Sequence, residues 1–207
     1  MIISKRLGLD KSKTPVIGVL AIQGSFELHL GVLRRNGIAC KKVRYPEELS
    51  DIQGLIIPGG ESTVIMGVGR ETGLFDNLRD RVADGLAILG TCAGAIILGQ
   101  GGEFPDRFGL VPVNLFRNAY GRQFESFEKQ LSLRPFNDPF QTIFIRAPKI
   151  ILPENHEEKG IDVLGWDGEN PVFLQYKRIL LATFHPELTE DGRIHQYFLE
   201  KVVLNRD

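Results

Sequence analysis

Short apolar runs rich in β-branched residues, separated by stretches with helical patterning, constrain the fold of this chain more than any other feature. Residues 16–22 (Val-Ile-Gly-Val-Leu-Ala-Ile) are apolar on both faces, which is how a buried central parallel strand reads, and Gln23 and Gly24 close the run. Ser25 can cap a helix carrying Phe26, Leu30 and Leu33 at i, i+4 and i+7, with Gly37 as its stop. A second strand is expected at 41–45, and a third at 54–58 ends in the Gly59-Gly60 turn. Phe75, Leu78 and Val82 mark one face of a helix that Gly85 terminates. Residues 86–89 form another buried strand, and 95–98 an apolar helix start. Residues 179–184 are again a buried strand, and Ile194, Tyr197, Phe198 and Val202 mark the last helix. Strands alternating with helices of this size argue for an α/β fold with a mostly parallel central sheet, covered on both faces and joined by right-handed crossovers. Residues 114–146 are less periodic, and 141–146 alternate like a half-buried strand. This stretch reads as an antiparallel elaboration beside the main sheet.

No repeat, low-complexity tract or linker interrupts the pattern, and 207 residues suit one domain. The expected organisation is a short polar extension over 1–14 and one domain over 15–207. The extension carries Lys5, Arg6, Lys11 and Lys13 without an apolar segment, so it does not read as a secretory signal. No apolar run approaches the ~20 residues of a membrane span. A formal net charge of -1 gives nucleic-acid or anionic-membrane binding no support. Two cysteines, Cys40 and Cys92, make no disulfide framework, and a cytoplasmic setting follows.

Three motifs carry chemistry. Gly90-Thr91-Cys92-Ala93-Gly94 lies between a buried strand and a helix, the setting of a nucleophile elbow. The helix start beyond it favours a thiolate over the thiol, whose unperturbed pKa is ~8.5. Taken alone, the pentapeptide fits a buried structural cysteine with packing glycines equally well.

A cysteine nucleophile needs a base held by a third group. Of the four histidines, His29 and His195 fall on expected helices and read as partly exposed surface residues. His156 lies in a polar loop. Only His185 comes directly off a buried strand. Pro186 is expected to bar a helix, keeping 185 and 187 extended and on one face, so that Glu187 reaches the imidazole. The alternative is a strand-end histidine satisfied by backbone.

Pro58-Gly59-Gly60-Glu61-Ser62 ends another strand, where open α/β sheets place ligands. There the N–H groups of Gly60 and Ala93 can form an oxyanion hole. Neither a phosphate loop nor a metal-ligand spacing is present, so no metal or cofactor is expected.

With Gly90–Gly94, His185-Pro186-Glu187 and the upstream Pro-Gly-Gly, the chain resembles the class I (triad) glutamine amidotransferases, whose fold is a flavodoxin-like three-layer α/β/α. Residues 21–24, 58–63, 117–123, 126–128, 144–148 and 185–190 narrow the resemblance to the glutaminase subunits of pyridoxal 5′-phosphate synthase. It runs from about Val16 to the C-terminus. The resemblance implies hydrolysis of L-glutamine and delivery of ammonia to a separate synthase (lyase) subunit that builds pyridoxal phosphate. It assigns Cys92, His185 and Glu187 to the triad. Gly60, Glu61, Ser62, Arg117, Ile145 and Arg146 match its glutamine-contacting positions, and Gln23 matches a synthase-interface position. Surface ion pairs are the alternative for both arginines. The extension before Val16 is longer than the family leads one to expect, and 99–106 is short and glycine-rich. Two rivals stay open: the same hydrolysis serving another synthase, and a non-catalytic regulatory module.

Overall fold

The computed structural model describes residues 14–101, 108–117 and 126–205. Residues 1–13, 102–107 and 118–125 lie outside the described residues. They take with them most of the expected extension, part of the glycine-rich segment and the 117–123 motif beyond Arg117.

The parallel strands follow the apolar runs. β1 (Ile17–Leu20), β2 (Cys40–Val43), β3 (Gly54–Ile57), β4 (Ala87–Thr91) and β11 (Ile179–Ala182) pair in parallel in the order β2-β1-β3-β4-β11. Two antiparallel strands, β10 (Asn170–Tyr176) and β9 (Ile161–Asp167), extend the β11 edge and complete a seven-stranded sheet. Sequence patterning did not point to them. They form a hairpin whose two turn residues are Gly168 and Glu169, with Gly168 at φ 58° in the first central position, where a tight turn needs a positive φ.

Alternation along each strand feeds two cores, one on each face. Leu55, Ile57 and Ile88 point into one cluster with Ile65, Leu74, Phe75, Leu78, Ile96 and Leu98. Those partners belong to helices α2 (Ser62–Glu71), α3 (Leu74–Ala83) and α4 (Ala93–Leu98). Ile56, Ala87, Leu89, Leu180 and Ala182 point the other way. They pack on Leu30 and Leu33 of α1 (Phe26–Arg35) and on Ile194, Phe198 and Val202 of the last helix. That last helix runs as α5 (Arg193–Tyr197) and continues as a π-helical turn, Phe198–Val203. The result is the expected three-layer α/β/α arrangement.

The chain runs from β1 outward to β2 and then returns past β1 to β3. The strand order therefore reverses beside β1, and open α/β sheets form a ligand crevice at the carboxyl ends of the strands at such a point. Two ribbons rim the crevice. β6 (Ser126–Leu131) pairs antiparallel with β7 (Phe140–Ile145), and β5 (Asn114–Phe116) with β8 (Lys149–Ile151). The elaboration expected over 114–146 is thus antiparallel, as its alternation implied. Helix α2 was not anticipated. Two glycines, Gly67 and Gly69, dilute its pattern, and only Ser62, Ile65 and Gly69 are buried.

Among the described residues no helix is long and apolar enough to cross a membrane, and no group of three metal-ligating side chains occurs.

Candidate active site

Cys92 sits where β4 turns into α4, with φ 47° and ψ −105°, a backbone conformation an L-residue rarely holds. The strain is held in place from both sides. The Cys92 N–H donates to Ala182 O at 2.8 Å, continuing the β4–β11 ladder, and a Cβ on Gly94 would overlap the Ile57 carbonyl of β3. Only glycine lets α4 start so close to the sheet. The turn leaves the sulfur at the bottom of a crevice, with Cys92 9% exposed, rather than in the core.

His185 follows β11 through Phe184, whose ring is fully buried among Phe140, Phe144 and Phe173 at centroid distances of 6.0, 5.8 and 6.1 Å. The His185 N–H donates to Ile143 O at 2.8 Å, so ribbon strand β7 fixes the histidine's backbone. Its Nδ1–H donates to Glu187 Oε1 at 2.7 Å. The expected pairing is present, but by another route. Residues Pro186–Leu188 form a 3₁₀ turn, because proline at a first helical position costs no hydrogen bond and already has a helical φ. The compact turn, rather than an extended segment, brings Glu187 back to the imidazole.

Burial alone lowers the pKa of His185. Its hydrogen bonds to Cys92 and Glu187, with their negative charge, overcome that and raise it from 6.5 to about 10. Burial likewise disfavours the Glu187 carboxylate. The nearby His29, the hydrogen bonds from His185 and Ser25, and the charge on His185 reverse this and bring Glu187 down to about 2.

Sequence reasoning missed two contributors on the first turn of α1. Ser25 does not cap α1 with its side chain. Its hydroxyl donates to Glu187 Oε1 at 2.7 Å, while its N–H donates to Gly59 O at 3.1 Å. One serine thus ties the Glu187 carboxylate to the Gly59-Gly60 turn. His29, one helical turn on, is fully buried, and so is His195 on α5, which corrects the expectation that both lie on the surface. His29 Nε2 lies 3.3 Å from Glu187 Oε2, and His29 Nδ1 is 2.9 Å from His195 Nε2. Ser25 and His29 share a face at i, i+4, the one sequence signal that could have linked them. Half-buried His156 lies in a turn of polar residues, as expected.

A cavity of about 330 Å³ opens over the sulfur. Its walls include Gly60, Glu61, Ala93, Arg117, Ile145, Arg146 and His185, with Gln23 at the rim. Most of the expected contact residues therefore converge. Ser62 does not line the cavity; it is 3% exposed and begins α2. Among the described residues no acceptor takes the Gly60 or Ala93 N–H. Gln23 Oε1 accepts the Glu61 N–H at 2.7 Å, which holds the Gly60 turn against the β1 loop. Arg146 has φ 43° at the end of β7, a second strained backbone in the wall. Two arginines and a glutamate line the cavity together with the thiol-bearing Cys92, a residue set whose charges suit a small zwitterion.

The chain resembles curated relatives along nearly its whole length. It is 44% identical over 188 residues to a pyridoxal 5′-phosphate synthase subunit PdxT from Thermosipho africanus, covering 90% of this chain and 98% of that one. It is 47% identical to the protein of the same name from Pelotomaculum thermopropionicum, covering 90% and 95%. A crystal structure of a glutamine amidotransferase superposes with a TM-score of 0.81 at 46% identity, covering 89% of this chain and 97% of that one. The structure of PurLQS from Thermotoga maritima superposes with a TM-score of 0.68 at 15% identity over 90% and 98%, a likeness of fold alone. A family model matches residues 19–204, and the chain belongs to the SNO glutamine amidotransferase family.

Proposed function

We propose that this chain is the glutaminase subunit of a pyridoxal 5′-phosphate synthase, hydrolysing L-glutamine to L-glutamate and ammonia and passing the ammonia to a separate synthase subunit. The observation that carries the chemistry is the Cys92–His185–Glu187 constellation at the carboxyl ends of β4 and β11. The pathway rests on the likeness to the PdxT subunits across about nine-tenths of the chain.

The charged imidazole of His185 favours negative sulfur, the attacking form. The Cys92 sulfur bonds to the side-chain amide carbon, and the oxygen takes up negative charge within reach of the Gly60 and Ala93 N–H groups. The C–N bond breaks as His185 delivers its proton to the leaving nitrogen, which departs as ammonia. Neutral His185 then takes a proton from water, the hydroxide adds to the thioester, and the C–S bond breaks to release glutamate. Glu187 keeps the imidazole in one orientation and stabilises its charged form throughout. Arg117 and Arg146 would hold the α-carboxylate of glutamine and Glu61 its ammonium, leaving the apolar stem against Ile145. Gln23 at the rim is assigned to coupling with the synthase subunit. A cytoplasmic, reducing location keeps the free Cys92 available.

Ammonia release from L-glutamine, with and without the synthase subunit, tests the reading alongside Cys92→Ala. Release that the partner stimulates and that falls roughly 10⁴-fold or more in the variant is expected. Turnover retained by Cys92→Ala would remove the nucleophile, and indifference to the partner would remove the pathway.

A further inference from the structure

The mechanism leaves unused a buried pair of histidines directly behind the triad carboxylate. His29 and His195 come from opposite ends of the chain and are both fully enclosed. Their rings lie 5.2 Å apart between centroids and are joined by one short N···N contact of 2.9 Å. Two imidazoles in the core of a small enzyme, with no metal-ligating cluster around them among the described residues, call for a reason.

Proton positions follow from the partners. Full burial holds both rings neutral, lowering His29 and bringing His195 down to about 3, so each ring carries one proton. One proton lies in the 2.9 Å contact, and two arrangements are possible. If His29 donated through Nδ1, its bare Nε2 would face Glu187 Oε2 at 3.3 Å, lone pair against carboxylate. His195 would then carry its proton on Nδ1, which is buried and has no partner among the described residues. The reverse arrangement removes the first penalty and leaves at His195 Nδ1 a bare nitrogen instead of an unpaired N–H. His195 Nε2–H donates to His29 Nδ1. His29 Nε2–H then faces Glu187 Oε2 and the Thr91 hydroxyl, the latter at 3.1 Å. Glu187 Oε2 is buried without a fully formed hydrogen bond among the described residues, and the His29 Nε2 that bonds Thr91 approaches it to 3.3 Å. An unpaired bare nitrogen on His195 costs less than a carboxylate oxygen left without a donor.

We infer that His29, itself oriented by His195, is a positioning residue of the glutaminase: it holds the far oxygen of Glu187 so that the near oxygen meets His185. Glu187 then has three side chains around it, His185 and Ser25 hydrogen-bonded at Oε1 and His29 at 3.3 Å from Oε2. Thr91, which shares the His29 proton, is the residue before Cys92, so the same contact joins α1 to the strained elbow.

The inference rests on the triad reading above, and its test separates the two. In the full-length chain, ring-nitrogen NMR reports tautomers without any turnover. Nε2–H forms of both His29 and His195 are expected, and an Nδ1–H form of His29 overturns the inference whatever the activity. Kinetics with the synthase subunit then compare His29→Gln, which keeps an N–H near the Nε2 position, with His29→Asn, which does not. His29→Asn is expected to lose roughly 10- to 100-fold in kcat with KM little changed. The acid limb of its pH profile should move to higher pH, because a carboxylate without its donor protonates more readily. His29→Gln should recover most of the rate and the position of the limb. Equal rates and limbs in the two variants would make His29 a packing residue only. Should His29→Asn not fold, His29→Leu takes its place in the comparison. Wild-type protein without Cys92-dependent ammonia release would sink the triad reading instead.

Discussion

The two sides of Glu187 place histidines in opposite charge states within a few ångströms of one carboxylate. Toward the cavity, His185 is 8% exposed and raised to about 10; behind, His29 and His195 are 0% exposed, both lowered, His195 to about 3. Burial opposes charge in all three, and most in the two fully enclosed rings. The anionic partners of His185 overcome that opposition, and those of the enclosed pair do not. His185 lies between Glu187 and the Cys92 sulfur, whereas His29 faces the second Glu187 oxygen, the neutral Thr91 hydroxyl and the His195 ring, with the charge of His185 opposing its own, and His195 bonds only the His29 ring among the described residues. One carboxylate thus has a charged imidazole on its cavity side and a neutral one behind it, and in the proposed mechanism the neutral side keeps the carboxylate in place for the charged one.

Glu187→Gln should break the comparison outright. Removing the shared anion takes away the charge that sustains the His185 imidazolium and presents an amide to its ring. Ammonia release should fall roughly 10⁴-fold, the scale of the equivalent change in a serine triad. A loss under tenfold would mean that Glu187 does not orient His185.

Phe184→Ala attacks the cavity side through packing. The ring is fully buried against three phenylalanines and immediately precedes His185. About 3–5 kcal/mol of stability should go, read by denaturant unfolding. A loss below about 1 kcal/mol would show that the strand end is held by its hydrogen bonds alone.

Acid titration sharpens the comparison most gently. Glu187 titrates at about 2 when folded against 4.5 unfolded, so its contribution is present above pH 4.5 and lost as pH falls toward 2. That shift corresponds to about 3 kcal/mol. Glu187→Gln should flatten the stability–pH slope in this window. On the alkaline side the same contact is expressed through His185, with stability full below pH 6.5 and lost as pH rises through about 10. Unchanged acid slopes between the variant and wild type would show that Glu187 is not held as a charged group.

Much of the site was legible because its signals are local. Glycines flanking Cys92 after a buried run, and a histidine leaving a buried run, each need a window of only a few residues. The geometry of 185–187 was misjudged because a single Pro-Glu step does not reveal whether proline ends a helical turn or begins one. The His29–His195 contact spans 166 residues of chain and exists only because α1 and α5 cover the same face of the sheet. On its own helix each histidine looks like a polar surface residue. β9 and β10 went unrecognised although Gly168 marks their turn, since antiparallel strands at a parallel sheet's edge break the strand–helix rhythm that identified the rest.

Intact-protein and peptide mass spectrometry after exposure to an electrophilic glutamine analogue, with the synthase subunit present, tests the central claim most directly. Cys40 serves as the internal reference, a half-buried thiol whose pKa burial pushes up and which lies away from the cavity. Stoichiometric modification of Cys92 with Cys40 untouched, strongly slowed in Glu187→Gln, is the predicted result. Modification of Cys40 at a comparable rate, or an unmodified Cys92, would contradict the account.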